Sequence, residues 1–215
     1  MERQKDIIKP AKGAIIIVIL FHLVGLVGFC VPPLQPLFKQ LVPYHLLLML
    51  LVIILSHKWL DAKFFVFVIL IATVGFTAEW LGVHKYWLFG DYSYGPTLGY
   101  KLFDIPLLIG VNWFLLVYGV GVAMQHSRLK SGLMRIILGA AILVLLDLLI
   151  EPVAIRFDYW TWQSANIPLK NYGCWFGLSI LLLGLFELFG FKKQNLAAPV
   201  LLVTQFLFFG VLNLI

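Results

Sequence analysis

Charged residues are scarce in this sequence. Only 12% of the 215 residues are Asp, Glu, Lys or Arg and 62% are hydrophobic, whereas soluble domains carry about 25% charged residues. This balance excludes an ordinary soluble domain and indicates an integral membrane protein. The formal net charge of +6 then concerns orientation in the membrane, so we do not expect nucleic acid as a partner.

Cysteine and histidine are too few or too scattered for several kinds of site. The two cysteines, Cys30 and Cys174, cannot form a disulfide framework. A single disulfide between them is an open alternative, but two isolated thiols are favoured. The five histidines show no His-x-x-x-His or Glu-x-x-His pair, which argues against a di-iron hydroxylase or desaturase. We therefore expect no metal site.

Other catalytic signatures are missing as well. The last apolar run contains no lysine that could hold retinal as a Schiff base. The sequence has no serine-centred nucleophile motif, no P-loop and no dinucleotide fingerprint. Redox and phosphate chemistry are therefore disfavoured, and we expect a protein that works without a cofactor.

Apolar runs fill most of the chain. A membrane-spanning helix needs about 20 apolar residues, and the candidate spans are 14–31, 41–55, 64–81, 105–124, 133–150, 172–191 and 196–214. The second run is the doubtful one, because its length also suits a re-entrant or interfacial segment. The sequence predicts an all-α, polytopic bundle of about seven transmembrane helices that forms one domain over residues 1–215.

The placement of Lys and Arg supports seven spans. If the seven runs alternate across the membrane, 11 of the 16 Lys and Arg residues fall on one side, and cytoplasmic loops are the ones enriched in these residues. This predicts an N-terminus inside and a C-terminus outside. We expect the protein in the cytoplasmic membrane of a bacterium.

Acidic residues gather near the predicted outer ends of three helices. Glu79 ends the third run, Asp104 precedes the fourth, and Asp147 and Glu151 end the fifth. Carboxyl groups at membrane depth are costly and mark functional sites by default. Asp147 and Glu151 are four residues apart on one helix face, where two ionised groups repel. We expect one of them to keep its proton, although a purely structural role for the buried acids is an open alternative.

Aromatic and amide side chains crowd the same predicted face. The candidates for contact with a ligand are Tyr92, Tyr94, Asn112, Trp113, Trp160, Trp162 and Asn171. An aromatic belt at the lipid headgroups explains such enrichment as well as a cavity lining does, so both alternatives stay open. Asp91 suits a turn as well as a site.

These residues occur in motifs that resemble a known family. The first half reads Glu79-x-x-Gly82, Phe89-Gly90-Asp91-Tyr92-Ser93-Tyr94, Leu98-Gly99, Ile105-Pro106 and Asn112-Trp113. The second half reads Asp147, Glu151-Pro152, Tyr159-Trp160-x-Trp162, Ile167-Pro168, Asn171-Tyr172 and Trp175. The pattern resembles the membrane-integral carotenoid biosynthesis family, whose known members include the CruF-type carotenoid hydratases. It is also similar to the small membrane lycopene cyclases, although their Pro-x-Glu-Glu-like motif is missing here.

The resemblance implies a cofactor-independent hydro-lyase. Such a hydratase adds water across the terminal C1=C2 double bond of an acyclic carotenoid end group, on lycopene or a monocyclic carotene, and gives a 1-hydroxy carotenoid. The expected catalytic residues are Glu79, Asp147, Glu151, Asp104 and Asp91, with either Glu79 or Asp147 as the proton donor. Asp104 has no clear place in the family pattern.

The expected partners follow from this activity. A long hydrophobic polyene would enter from the bilayer, water would be the second substrate, and the site would lie near the outer face. Association with other carotenoid enzymes stays open. The alternatives are a lycopene cyclase-like enzyme that uses the same carbocation and a non-catalytic polyene-binding protein. A transporter is disfavoured, since the sequence shows no inverted repeat.

Overall fold

Seven helices and four short strands make up the fold. The computed structural model describes residues 2–164 and 166–215, with side chains from residue 11 onward. The helices are α1 (Glu2–Cys30), α2 (Gln35–Ser56), α3 (Ala62–Lys85), α4 (Leu107–His126), α5 (Gly132–Arg156), α6 (Leu169–Phe189) and α7 (Ala197–Leu212). The strands are β1 (Tyr92–Tyr94), β2 (Lys101–Leu102), β3 (Ile105–Pro106) and β4 (Trp160–Trp162).

Six of the helices are long and apolar enough to cross a membrane, and α7 is a shorter apolar helix. The prediction of an all-α polytopic membrane protein is confirmed, while the orientation of the termini stays a prediction. Both cysteines are free thiols.

The sequence was misleading about which helix is short. We doubted the second span, but α2 has 22 residues because it begins at Gln35 and continues through Pro43. The short helix is α7, with 16 residues. A proline inside a membrane helix is tolerated when neighbouring groups satisfy the freed backbone carbonyl.

Local signals fix the helices that carry the acids. Asp61 begins α3 by accepting a hydrogen bond from the Phe64 amide at 2.9 Å, as an N-cap residue does. Helix α3 ends where Tyr86 adopts a left-handed conformation, with φ of 57°. Helix α5 continues past its predicted end at residue 150 and through Pro152 to Arg156. Glu151 is therefore inside a helix, one turn beyond Asp147.

Helix α4 lies at the centre of the bundle. It packs against α2, α3, α5, α6 and α7, and it is the most deeply buried of the six long helices. Helix α1 packs on α2 and α7, and α5 packs on α6.

Small residues bring α3 and α4 close together. A Cβ atom at Gly110 would lie 2.6 Å from the Ala72 carbonyl oxygen, and one at Gly75 would lie 2.6 Å from the Trp113 Cβ. Glycines allow membrane helices to approach in this way. The close approach holds Trp113 beside α3, one turn from Glu79.

The two long loops pair with each other. Strands β1 and β4 are antiparallel, with Tyr92 opposite Trp162, Ser93 opposite Thr161 and Tyr94 opposite Trp160. Opposed residues of such a pair share one face, and here the aromatic residues face the helices while Ser93 and Thr161 are exposed. The pairing thus places four aromatic side chains over the ends of α3 and α5.

We expect Gly110→Ala to destabilise the protein by about 1–3 kcal/mol, the usual cost of overpacking, because the new methyl group meets a backbone carbonyl that cannot rotate away. The measurement is the apparent melting temperature of the purified protein in detergent. Gly177→Ala is the matched control, since Gly177 lies in α6 with no atom within 4 Å of the added Cβ. Equal melting temperatures for the two variants would contradict the packing argument.

Candidate active site

Glu79 is buried near the end of α3 and accepts hydrogen bonds on both carboxyl oxygens. Its Oε2 accepts from the hydroxyl of Tyr92 at 2.5 Å and of Tyr94 at 2.8 Å. Its Oε1 accepts from the Trp113 indole N–H at 2.9 Å. The side chain is 4% exposed, so it points into the bundle as predicted. Three donors satisfy a carboxylate that lipid would not solvate.

Glu151 is the second buried glutamate, and all of its partners are N–H donors. The Trp160 and Trp162 indole nitrogens donate to Oε2 at 3.0 and 2.8 Å. The Asn171 side-chain amide donates to Oε1 at 3.3 Å. An indole N–H cannot accept a proton, so Oε2 serves only as an acceptor.

Asp147 lies one helical turn before Glu151 and shares a partner with it. The Asn171 amide donates to Asp147 Oδ2 at 2.9 Å as well as to Glu151. Asp147 is 0% exposed, and its Oδ1 has no hydrogen-bond partner within the described part of the chain. Asn171 thus ties together the two acids that sequence spacing places on one face.

Both glutamates line a small cavity between α3, α4, α5 and α6. Its volume is about 20 Å³, which is room for about one water molecule. The lining residues are Glu79, Phe89, Tyr92, Tyr94, Ile109, Asn112, Ile150, Glu151, Trp160, Trp162, Asn171 and Trp175. Asp147 is outside this set and lies behind Asn171.

Asn112 lines the cavity with a side-chain amide that has no hydrogen-bond partner in the described part of the chain. Its amide makes no side-chain hydrogen bond within residues 11–164 and 166–215, whereas each glutamate accepts three. A free amide on a water-sized cavity can hold a water molecule.

A large apolar cavity adjoins the small one. Its volume is about 320 Å³, and it shares Ile109, Asn112, Ile150 and Trp160 with the small cavity. The rest of its wall comes mainly from α1, α2 and α7. Its lining includes Phe21 and Tyr44, which are 41% and 69% exposed on the outside of the bundle. The cavity therefore reaches the lipid-facing surface between α1 and α2.

The strand β1 phenols are held in their neutral form. Burial raises the pKa of Tyr92 and of Tyr94 well above 10, and the nearby Glu79 carboxylate raises both further. Both phenols therefore keep their protons at neutral pH, and each hydroxyl group can donate to a Glu79 carboxylate or accept from a protonated Glu79.

Two predicted acids lie outside the cluster. Asp104 is in the tight turn between β2 and β3, with φ of 62°, and its side chain is 85% exposed with His84 Nε2 at 3.8 Å. We expected it at the start of α4, but that helix begins at Leu107. Asp91 is exposed, and its backbone carbonyl accepts a hydrogen bond from the backbone N–H of Gln163 at 3.0 Å. The structure therefore does not bring these two acids to the buried cluster: Asp104 lies in a turn, and Asp91 lies where β1 begins.

Six of the seven predicted ligand-contact residues line the small cavity, and the seventh, Trp113, donates to Glu79 beside it. Tyr92, Tyr94, Asn112, Trp113, Trp160, Trp162 and Asn171 either line it or donate to its glutamates. These side chains therefore belong to a cavity and not to a headgroup belt, while Trp87, at 68% exposed, suits the belt. Sequence reasoning missed the apolar wall formed by Ile109 and Ile150. Ile109 shares a helix face with Asn112, three residues later, but Ile150 is adjacent to Glu151 and gives no such signal.

Comparison with known proteins bears on this site. A family model described as carotenoid biosynthesis protein matches residues 41–215, which include every residue of the small cavity. The chain belongs to this carotenoid biosynthesis family.

A curated relative adds detail. The chain is 30% identical over 125 residues to a bisanhydrobacterioruberin hydratase from Haloarcula japonica. The aligned part covers 55% of this chain and 42% of that relative, so the chain spans less than half the length of the relative that it matches. No solved structure shows significant similarity.

The buried phenols give a direct test of the site geometry. We expect Tyr94→Phe to leave the tyrosinate absorbance that the folded protein gains at pH 11 unchanged, because burial and the Glu79 charge keep this phenol protonated there. After full denaturation the variant should lose the signal of one of the eight tyrosines. A loss of signal in the folded state would show that Tyr94 is open to solvent.

Proposed function

We propose that this family member is a carotenoid hydratase that adds water across the terminal C1=C2 double bond of an acyclic end group. The observation that carries the proposal is the pairing of Glu79 and Glu151 on one water-sized cavity beside a large apolar cavity. The similarity to a hydratase supports the same class of reaction. Lycopene and a monocyclic carotene are the proposed substrates.

The apolar cavity would hold the polyene next to the reacting end. A carotene is about as long as the bilayer core is thick, so most of the carotene molecule must remain in lipid or between helices. The opening between α1 and α2 supplies a lateral entry. Ile109, Ile150 and Trp160 then direct the end group toward the two glutamates.

Glu79 is the proposed proton donor. An unactivated alkene is a weak base, so the acid must touch it and must leave a stabilised carboxylate behind. Tyr92, Tyr94 and Trp113 donate three hydrogen bonds to that carboxylate, and preorganised donors of this kind stabilise developing charge. Protonation at C2 leaves a tertiary cation at C1.

Glu151 completes the reaction from the other side of the cavity. Its negative charge and the π-faces of Trp160 and Trp162 stabilise the cation at C1. A water molecule held by Asn112 attacks C1, and Glu151 accepts the proton that the water loses. The proton then returns to Glu79 through the next water molecule, so atoms and charges balance without a cofactor.

Asp147 is a positioning residue in this scheme. It accepts one hydrogen bond where Glu151 accepts three, so it is the member of the pair that keeps its proton. Through Asn171 it fixes the orientation of the Glu151 carboxylate.

Expression in a bacterial host that makes lycopene tests the proposal. We expect a product heavier by one or two water molecules, measured by mass spectrometry of the extracted pigments. A product of equal mass would show cyclisation, and unchanged lycopene together with an unchanged monocyclic carotene would overturn the hydratase assignment.

We expect Glu79→Gln and Glu151→Gln each to lower turnover by about 10²–10⁴-fold, the usual contribution of an acid or base. Asp104→Asn is the matched control and should retain activity, because its side chain is exposed on a turn. Product formed per amount of folded enzyme in membranes gives the comparison. Full activity in either Gln variant would remove that residue from the mechanism.

We expect Asp147→Asn to cost less than Glu151→Gln, within about tenfold of wild type, because the amide oxygen of an asparagine still accepts from Asn171. The same mass-spectrometric assay measures both variants, with protein amounts normalised. If Asp147→Asn is as inactive as Glu79→Gln, then Asp147 transfers a proton itself.

A further inference from the structure

The large apolar cavity contains three polar side chains that the proposed hydration does not use. They are His22 of α1, His45 of α2 and Gln205 of α7, and all three line the cavity. His22 is 6% exposed and Gln205 is 8% exposed. Each lies in the middle part of its helix, at a depth where lipid would surround the bundle. Polar groups at such a depth are expensive and mark functional sites.

The hydrogen-bonding capacity of this polar cluster is largely unused. His22 Nδ1 donates to the Val18 carbonyl at 2.8 Å, so Nε2 of the neutral ring is a free acceptor. The His22 and His45 rings meet edge to face at 4.7 Å, a contact that engages no ring nitrogen of His45. Gln205 Oε1 is buried and has no partner in the described part of the chain.

A cavity of this kind fits a molecule that is mostly apolar and carries one polar group. A volume of about 320 Å³ would hold on the order of 20 water molecules, and most of them would face only Leu, Phe and Val side chains. A pure hydrocarbon would leave the three polar groups unpaired, and an unpaired polar group in such a cavity is costly. A hydroxyl group both donates and accepts, so it satisfies an acceptor on His22 or Gln205 and a donor on His45 or Gln205.

We propose that His22, His45 and Gln205 recognise a hydroxyl group on the isoprenoid chain that occupies the apolar cavity. A polyene that already carries a hydroxyl group therefore binds more tightly than the hydrocarbon substrates lycopene and a monocyclic carotene, while its hydrocarbon part contacts the apolar wall. A site built to bind a hydroxyl discriminates strongly against the analogue that lacks it. This inference deepens the proposed function, since it assumes that the cavity is the polyene channel.

Binding to the Glu79→Gln variant, which is expected to leave both probes unhydrated, tests this recognition. The probes are lycopene and its 1-hydroxy derivative, titrated into the full chain of this variant in lipid nanodiscs and followed by quenching of tryptophan fluorescence. We expect the hydroxylated polyene to bind about tenfold more tightly than lycopene. A ratio near one would overturn the proposal and would leave water as the occupant of the polar cluster.

Two variants locate the effect. Gln205→Leu and His45→Phe preserve approximate side-chain volume and should each bring the affinity ratio to within about twofold of one. Phe208→Leu is the control, because Phe208 lines the same cavity and packs on His22 but offers no hydrogen bond. It should change both affinities equally and leave the ratio intact. A ratio that stays near ten in both polar variants, with melting temperatures that confirm folding, would contradict the assignment.

The outcome is separable from that of the hydratase assignment. Turnover is measured in the wild-type protein and binding in Glu79→Gln, which leaves the apolar cavity intact because Glu79 does not line it. A ratio near ten together with a wild-type protein that hydrates neither polyene would retain the recognition site and remove the proposed reaction.

Discussion

The structure depends on hydrogen-bond donors that reach two glutamates buried at membrane depth. A carboxylate in a low-dielectric interior is stable only when donors replace the water that it has lost. Here five aromatic side chains and one asparagine supply them. The donors come from α4, α6 and the two paired loops, so the requirement to satisfy Glu79 and Glu151 links every element around the small cavity.

Helix α4 is the scaffold on which this arrangement is built. Its glycine contact with α3 sets the distance between Glu79 and Trp113, and Trp113 in turn stacks on Trp175 of α6 at 4.3 Å. The same helix places Asn112 on the wall shared by both cavities. One turn of α4 therefore connects packing in the bundle interior with the polar chemistry of the proposed site.

Sequence reasoning predicted the parts of this site that obey simple periodicity. Hydropathy gave the spans, and the spacing of four residues placed Asp147 and Glu151 on one face. Periodicity did not predict the position of Asp104. This residue lies in a turn with left-handed backbone geometry before α4, and its acidic side chain gives no sign of that geometry. Sequence reasoning also missed the partnership of strands β1 and β4, since three-residue strands separated by two helices leave no periodic signal. The polar cluster of His22, His45 and Gln205 escaped notice for a similar reason, because each residue is isolated in its own apolar run.

The antiparallel pairing of β1 with β4 has a consequence for how the chain is made. Tyr92 and Tyr94 are translated well before Trp160 and Trp162, and the ribbon that joins them cannot form until α4 and α5 are both inserted. Glu79 can meet its tyrosine and tryptophan donors once α4 is in place. Glu151 gains its indole partners only when the ribbon forms and its amide partner only when α6 is added. The half of the cavity around Glu151 is therefore the last to mature.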